Sequence, residues 1–263
     1  MHLWNISRRR NKIDNVAHEF LTHANVFGRL DKLLDILERS PIEKINDYQA
    51  ISGAPYIFVP VKEQERLKQD STLETFRRLS GIQNIREVFD AFISAPEHFF
   101  YRNKMEYTFS NKRWLYENEN LAELEHTNAL GFHAPGRFDK VSAINKCWLQ
   151  DDLGNEIRNF VYHFCIEHNF TFYDLREHTG LMRNLMIRNT RKGDWMVNVI
   201  FAKDEPDNRE LLLNAISQKF NPHALNYCIN EKLNDSTFDQ TFISYKGNFE
   251  GNSTTHFDFS LFP

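Results

Sequence analysis

The run "LMRNLMIRNTRKGDWMVNVIFA" places two alternating apolar–polar segments on either side of Lys192-Gly193-Asp194. That is the period-two signature of two antiparallel strands closed by a glycine-containing turn. Helical periodicity flanks the pair. Upstream, "GNEIRNFVYHFCIEHNF" repeats Ile157, Phe160, Val161 and Phe164 on one face, and downstream "NRELLLNAISQKF" is amphipathic. Further strands are expected at "ALGFHAPGRFDKV", "ALNYCINEK" and "FISYKGNF". From residue 128 the order is therefore strand, helix, strand, strand, helix, strand. That order predicts an α+β fold: a mixed sheet with a βαββαβ-like core and both helices on one face.

The N-terminal third reads differently. Residues 14–38 predict a helix, with Asp14 as N-cap, Val16, Phe20, Ala24, Phe27, Leu30, Leu34 and Leu37 at helical spacing, and Pro41 closing it. A second helix is expected over 62–79, with Leu67, Phe76 and Leu79 on one side and Gly81 as its stop. Residues 82–98 fit either a short helix or a strand. The expected organisation is an N-terminal helical segment over 1–81, a central α+β domain over 82–248, and a tail over 249–263.

Composition excludes several functions. No apolar run approaches the ~18 residues of a membrane span, so no membrane partner is expected. A net charge of −4 argues against indiscriminate coating of nucleic acid, but screening over about 10 Å leaves room for a local basic face. Such faces are legible. Residues 101–113 hold Arg102, Lys104, Lys112 and Arg113 against Glu106, and residues 176–192 hold Arg176, Arg183, Arg188, Arg191 and Lys192 against Glu177. Acidic side chains gather elsewhere, as in "LYENENLAELEH".

Cys147, Cys165 and Cys228 are widely spaced, which suits free thiols in a reducing compartment. The chain reads as cytoplasmic, although the basic, acid-free "MHLWNISRRRNK" leaves an organelle transit peptide open. His133 and His178 have no carboxylate or thiolate at ligand spacing, so no metal site is expected. No GxSxG motif supports a Ser-His-Asp hydrolase. Asp151 and Asp152 read as negative charge at a helix start.

In "FFYRNKMEYTFSNKRW" strand parity puts Arg102, Lys104, Glu106 and Thr108 on one face and Tyr101, Asn103, Met105, Tyr107 and Phe109 on the other. An ordinary solvated face over a core face accounts for that alternation as well as a polyanion surface does. Between residues 183 and 190, Arg183 and Arg188 fall on opposite faces. Only one of them is expected to meet a ligand unless a bulge intervenes.

Four blocks in register are more specific than any single one. "FYRNKMEYTFSNKRW", "GFHAPGRFDKV" with "INKC" behind it, and "REHTGLMRNLMIRNTRKGDWMV", preceded by "PYIFVPVKEQERLKQ", resemble consecutive blocks of the S-adenosylmethionine-dependent RNA uracil-C5 methyltransferases, among them bacterial 23S ribosomal RNA and transfer-RNA enzymes. The resemblance spans roughly residues 50–248. It implies a central domain that grips folded RNA, and a C-terminal Rossmann-like domain holding the methyl donor and a cysteine nucleophile. That cysteine would add to C6 of a flipped uridine so that C5 attacks the methyl group.

Three departures shape the expectation. No two glycines fall within three positions of each other, there is no Pro-Pro dipeptide, and Cys228 sits in a predicted core strand. The chain is thus expected to lack the donor site and the nucleophile, to hold no catalytic residue, and to be inactive alone. S-adenosylmethionine is implied only by the family. Many members hold an iron–sulfur cluster on four cysteines. Here Ile51 and Ala54 stand at early ligand positions and only Cys147 matches, so no cluster is expected and Cys147 reads as a semi-buried thiol. Finally, residues 1–45 read as helix where the family commonly begins with a small RNA-binding β-barrel, so that accessory grip is expected to be missing or replaced.

On this resemblance the expected partner is structured RNA, ribosomal or transfer, with a separate catalytic domain or subunit as a second partner. The candidate RNA contacts are Arg102, Lys104, Arg137, Lys140, His178 and Arg188. Arg137 and Lys140 are expected in a loop after Gly136 that projects their charge. His178 either meets RNA or is hydrogen-bonded within its turn. Arg188 is preferred to Arg183 for its closeness to the basic tip at Arg191 and Lys192. The alternatives are a degenerate, non-catalytic protein-interaction module and an incomplete gene product.

Overall fold

The computed structural model describes residues 59–82, 84–115, 120–134 and 136–247. The expected helix at 14–38 and the tail at 249–263 lie outside them. The chain divides into two compact units between Phe99 and Phe100.

In the first unit, helix α1 spans Val61–Ser80 and ends on Gly81, whose φ of 72° is the left-handed conformation that glycine adopts without steric cost. Leu73 is the buried residue of this helix. Phe76 and Leu79, expected on its apolar side, are 57% and 83% exposed. Charge pairs lace its surface: Arg66 with Glu63 and Asp70, and Arg77 and Arg78 with Glu74. The ambiguous stretch that follows resolves as a single 3-10 turn at Ile85–Glu87 within irregular chain.

The second unit is built on one seven-stranded sheet. Its strands are β1 (Lys104–Ser110), β2 (Ala129–Ala134), β3 (Arg137–Ala143), β4 (Met182–Asn189), β5 (Trp195–Phe201), β6 (Ala224–Ile229) and β7 (Ile243–Lys246), in the spatial order β3-β2-β1-β4-β5-β6-β7. Neighbours are antiparallel except β5 and β6, which run parallel. The parallel pair needs a crossover, and helix α3 (Pro206–Phe220) supplies it. Helix α2 (Asp152–Glu167) connects β3 to β4 and starts where the Asp151 carboxylate accepts the Leu153 N–H. From Ala129 the order is strand, strand, helix, strand, strand, helix, strand, strand, which contains the predicted βαββαβ core.

"ALGFHAPGRFDKV" is a correction. It forms two strands, not one, with Gly136 at φ 69° in the connection. Pro-Gly punctuation had read as a loop, whereas β3 is held by pairing along β2.

Register fixes which side chains share a face. Tyr107, Leu185, Val199 and Tyr227 are consecutive partners across β1, β4, β5 and β6. Both helices pack on the face they present. The Arg158 guanidinium of α2 lies 5.4 Å from the Tyr107 ring, Arg209 of α3 lies 4.7 Å from Tyr227, and Phe160 meets Phe220 between the helices. Met105, Tyr107 and Phe109 are all buried on this side. At about 1.5–3 kcal/mol for each large apolar side chain removed from water, this face is what the fold is built around. The opposite face carries a different row: Glu106, Met186, Asn198, Asn226 and Ser244.

Candidate nucleic-acid interface

Beside that second row stand Lys104 and Arg188, direct partners across β1 and β4. Lys104 Nζ reaches Glu106 Oε2 at 3.4 Å and stays 44% exposed. Arg188 is half-buried. Burial lowers its pKa and the Glu106 charge raises it, but a guanidinium stays protonated under either influence. Two cations thus meet one carboxylate on the face opposite α2 and α3, at the exposed end of a row in which Met186, Asn198 and Asn226 are buried. Arg102 lies just before β1, its backbone N–H donating to Leu149 O at 2.9 Å and its side chain exposed. Polar contacts continue across this face: Asn226 donates to Asn198 at 2.8 Å, Asn184 to Thr108 at 3.4 Å, and Thr108 Oγ1 lies 3.3 Å from His133 Nε2.

A cleft of about 900 Å³ opens where the β2–β3 hairpin approaches the Asp174–Gly180 turn and the 233–235 loop. One carboxylate organises its cationic side. Asp139, with its side chain only 5% exposed, accepts Arg137 Nε at 3.2 Å and Arg176 Nε at 2.8 Å, while the two guanidinium side chains are 46% and 52% exposed. Arg137 and then Arg176 hold the Asp139 carboxyl well below the ordinary carboxylate range. Arg176 also lies 5.5 Å from the Phe138 ring, which is 66% exposed.

The turn is preset. Asp174 Oδ1 accepts the N–H groups of Arg176 and Glu177, and Asp174 also binds Asn111 and Lys112. Burial works to raise the Asp174 carboxyl, and these donors outweigh it, so it too lies below its ordinary value. His178 sits at φ 54° with Nδ1 at 3.2 Å from the Tyr173 hydroxyl, so its other ring nitrogen points away from that bond.

Arg183 holds the far wall. Its expected parity is broken by a register shift between Met182 and Asn184, and its guanidinium is buried. It donates to the carbonyls of Asn230, Lys232 and Asn234 and to the Asp235 carboxylate, over the Tyr173 ring at 4.5 Å. It is a staple for the loop that carries Leu233.

The sequence-level candidates therefore separate. Arg137 and His178 line the cleft, and Lys104 and Arg188 pair on the sheet face. Lys140 follows on β3, not in the expected loop, with its ammonium 5.6 Å from the Trp114 ring. Arg137 likewise begins a strand. Of the two strand arginines, Arg188 is the accessible one. Arg176, Phe138 and Leu233 also line the cleft, and Asp139 is the buried carboxylate that holds its two arginines. In the sequence Arg176 stands out only as part of a basic run, and the pairing of Asp139 with a residue 37 positions away has no local signal.

Among the described residues no three His, Cys, Asp or Glu side chains gather as metal ligands do. Cys147 is fully buried, not semi-buried, and burial pushes its thiol up. Protein groups clamp its loop instead. Asn155 accepts the Cys147 N–H at 2.7 Å and donates to Cys147 O at 3.0 Å, Arg158 donates to the carbonyls of Ile144 and Asn145, and the Tyr107 hydroxyl donates to Gln150 at 2.7 Å. The early positions Ile51 and Ala54 lie outside the described residues. No helix among the described residues is long and apolar enough to cross a membrane.

No protein-family model matches the sequence. Curated relatives do. An uncharacterized RNA methyltransferase of Bacteroides thetaiotaomicron is 41% identical over 220 residues, covering 80% of this chain and 48% of the relative. One from Porphyromonas gingivalis is 37% identical over 229 residues, covering 82% and 48%. The chain spans about half the length of these relatives. The crystal structure of Pyrococcus abyssi tRNA (uracil-54, C5)-methyltransferase in complex with S-adenosyl-L-homocysteine matches with a TM-score of 0.53 at 15% identity, over 77% of this chain and 42% of that one. At that identity the likeness speaks to the fold.

Proposed function

Because the chain belongs to the RNA methyltransferase family of those relatives, we propose that it is the RNA-gripping part of an enzyme that methylates C5 of a uridine in ribosomal or transfer RNA. The observation that carries this reading is the pairing of Lys104 and Arg188 across β1 and β4, on the sheet face opposite α2 and α3. Cations on a sheet face neutralise phosphates and fix the register of a folded strand, and their binding weakens with salt through counterion release. In a net-negative chain that attraction is local to the basic patches. S-adenosylmethionine supplies the electrophilic methyl group when bound elsewhere in the whole enzyme. This chain has no glycine pair close enough for a donor loop, so grip and transfer are separate tasks here.

Fluorescence anisotropy with a structured RNA, titrated with salt, tests the reading. Micromolar or weaker binding that falls steeply with salt, with no methyl transfer by this chain alone, is the expected result. Failure to retain RNA at low salt would overturn it and favour a protein-docking role.

A further inference from the structure

The cleft at Asp139 is more specific than phosphate attraction requires. Its cations are oriented, not merely present. Arg176 uses Nε for Asp139, which leaves its two terminal amino groups, a fork that matches a phosphate, uncommitted to that carboxylate on a half-exposed side chain. Arg137 is anchored on the same carboxylate, so two half-exposed guanidiniums share one negative charge and the pair keeps a net positive charge. Buried Asp139 fixes both side chains before any ligand arrives, which lowers the ordering cost of binding.

The same cleft exposes two apolar side chains, Phe138 at 66% and Leu233 at 72%. An aromatic face, an aliphatic side chain, a cationic rim and the Asn234 amide are the components of a nucleotide site. The volume, about 900 Å³, falls in the range of ligand pockets. His178 stands at the rim with its outer ring nitrogen available to a sugar or phosphate oxygen.

We infer that this cleft is a subsite for one unpaired nucleotide of the RNA, its base stacked on Phe138 and its phosphate held by Arg176 and Arg137. The inference rests on the RNA-binding reading above, and adds a preference for an unstacked base over a paired one. A duplex presents no free base face to Phe138, whereas a loop or bulge does.

Two RNAs with equal numbers of phosphates test it: a stem with an unpaired uridine-containing loop, and a fully paired duplex. The wild-type chain should favour the looped RNA. Phe138→Ala should lose roughly tenfold for the looped RNA and leave duplex affinity unchanged, and Phe138→Tyr should restore the preference. Arg176→Gln should weaken both RNAs alike and reduce the salt slope by about one. Equal wild-type affinity for loop and duplex, or an unchanged preference in Phe138→Ala, overturns the subsite while RNA binding stands. No binding of either RNA overturns the broader reading and the subsite with it.

Discussion

Lys104 on β1 and Arg188 on β4 are direct partners across an antiparallel strand pair, two like charges on the same face of the sheet. Like charges placed opposite one another destabilise a sheet by a few tenths to about 1 kcal/mol. Glu106 offsets part of this by pairing with Lys104. Conversion of Lys104 to Gln is expected to leave stability in urea unchanged or raised by up to about 0.5 kcal/mol, while weakening RNA binding severalfold. A Lys104→Gln chain that is less stable and binds RNA normally would mean the pair is structural.

Asp139 and Asp174 give the domain an acid-sensitive component. Both carboxyl groups sit below their ordinary pKa in the folded chain. A group depressed on folding contributes stability that is fully present above its unfolded pKa of about 3.9 and is lost as pH falls through the folded value. Urea midpoints should therefore be flat from neutral pH to about 5 and fall below about 4. Asp139→Asn should show a shallower acid decline than the wild type. An identical decline in the variant would contradict the shared-carboxylate account.

The Cys147 loop depends on Asn155 and Arg158. Replacing Asn155 by Ala strands the Cys147 N–H and carbonyl, both buried, and should cost about 1–3 kcal/mol. Removal of metal by a chelator should not shift the melting temperature. A chelator-sensitive transition, read by circular dichroism, would mean that a metal holds the loop after all.

Gly180 closes the turn that presents His178. Its φ is 114°, and a Cβ there would lie 2.5 Å from the Phe172 carbonyl oxygen. Gly180→Ala should destabilise the chain by about 1–3 kcal/mol and reduce binding of looped RNA. A neutral substitution would show that the turn conformation is not required.

What the sequence disclosed follows the range of each interaction. Helix α1 ends at Gly81 as expected because a left-handed stop is a local matter. The strand–helix order was legible for the same reason, since apolar periodicity is written within each element. The β2–β3 hairpin was missed because polar β3 is a strand only by virtue of its partner. Arg183 was ambiguous because one register shift cancels its parity. In the cleft, Arg137 and His178 were visible as charge, but the link between Arg176 and Asp139 exists only once the sheet is assembled.

Where RNA lies on the protein decides the matter. Ultraviolet crosslinking of a bound structured RNA, followed by mass spectrometry of the peptides, should place adducts within residues 100–106, 133–140, 174–179 and 186–192. Adducts confined to α2 and α3, on the opposite side of the sheet, would contradict the assignment of the Lys104–Arg188 face and the cleft as the RNA surface.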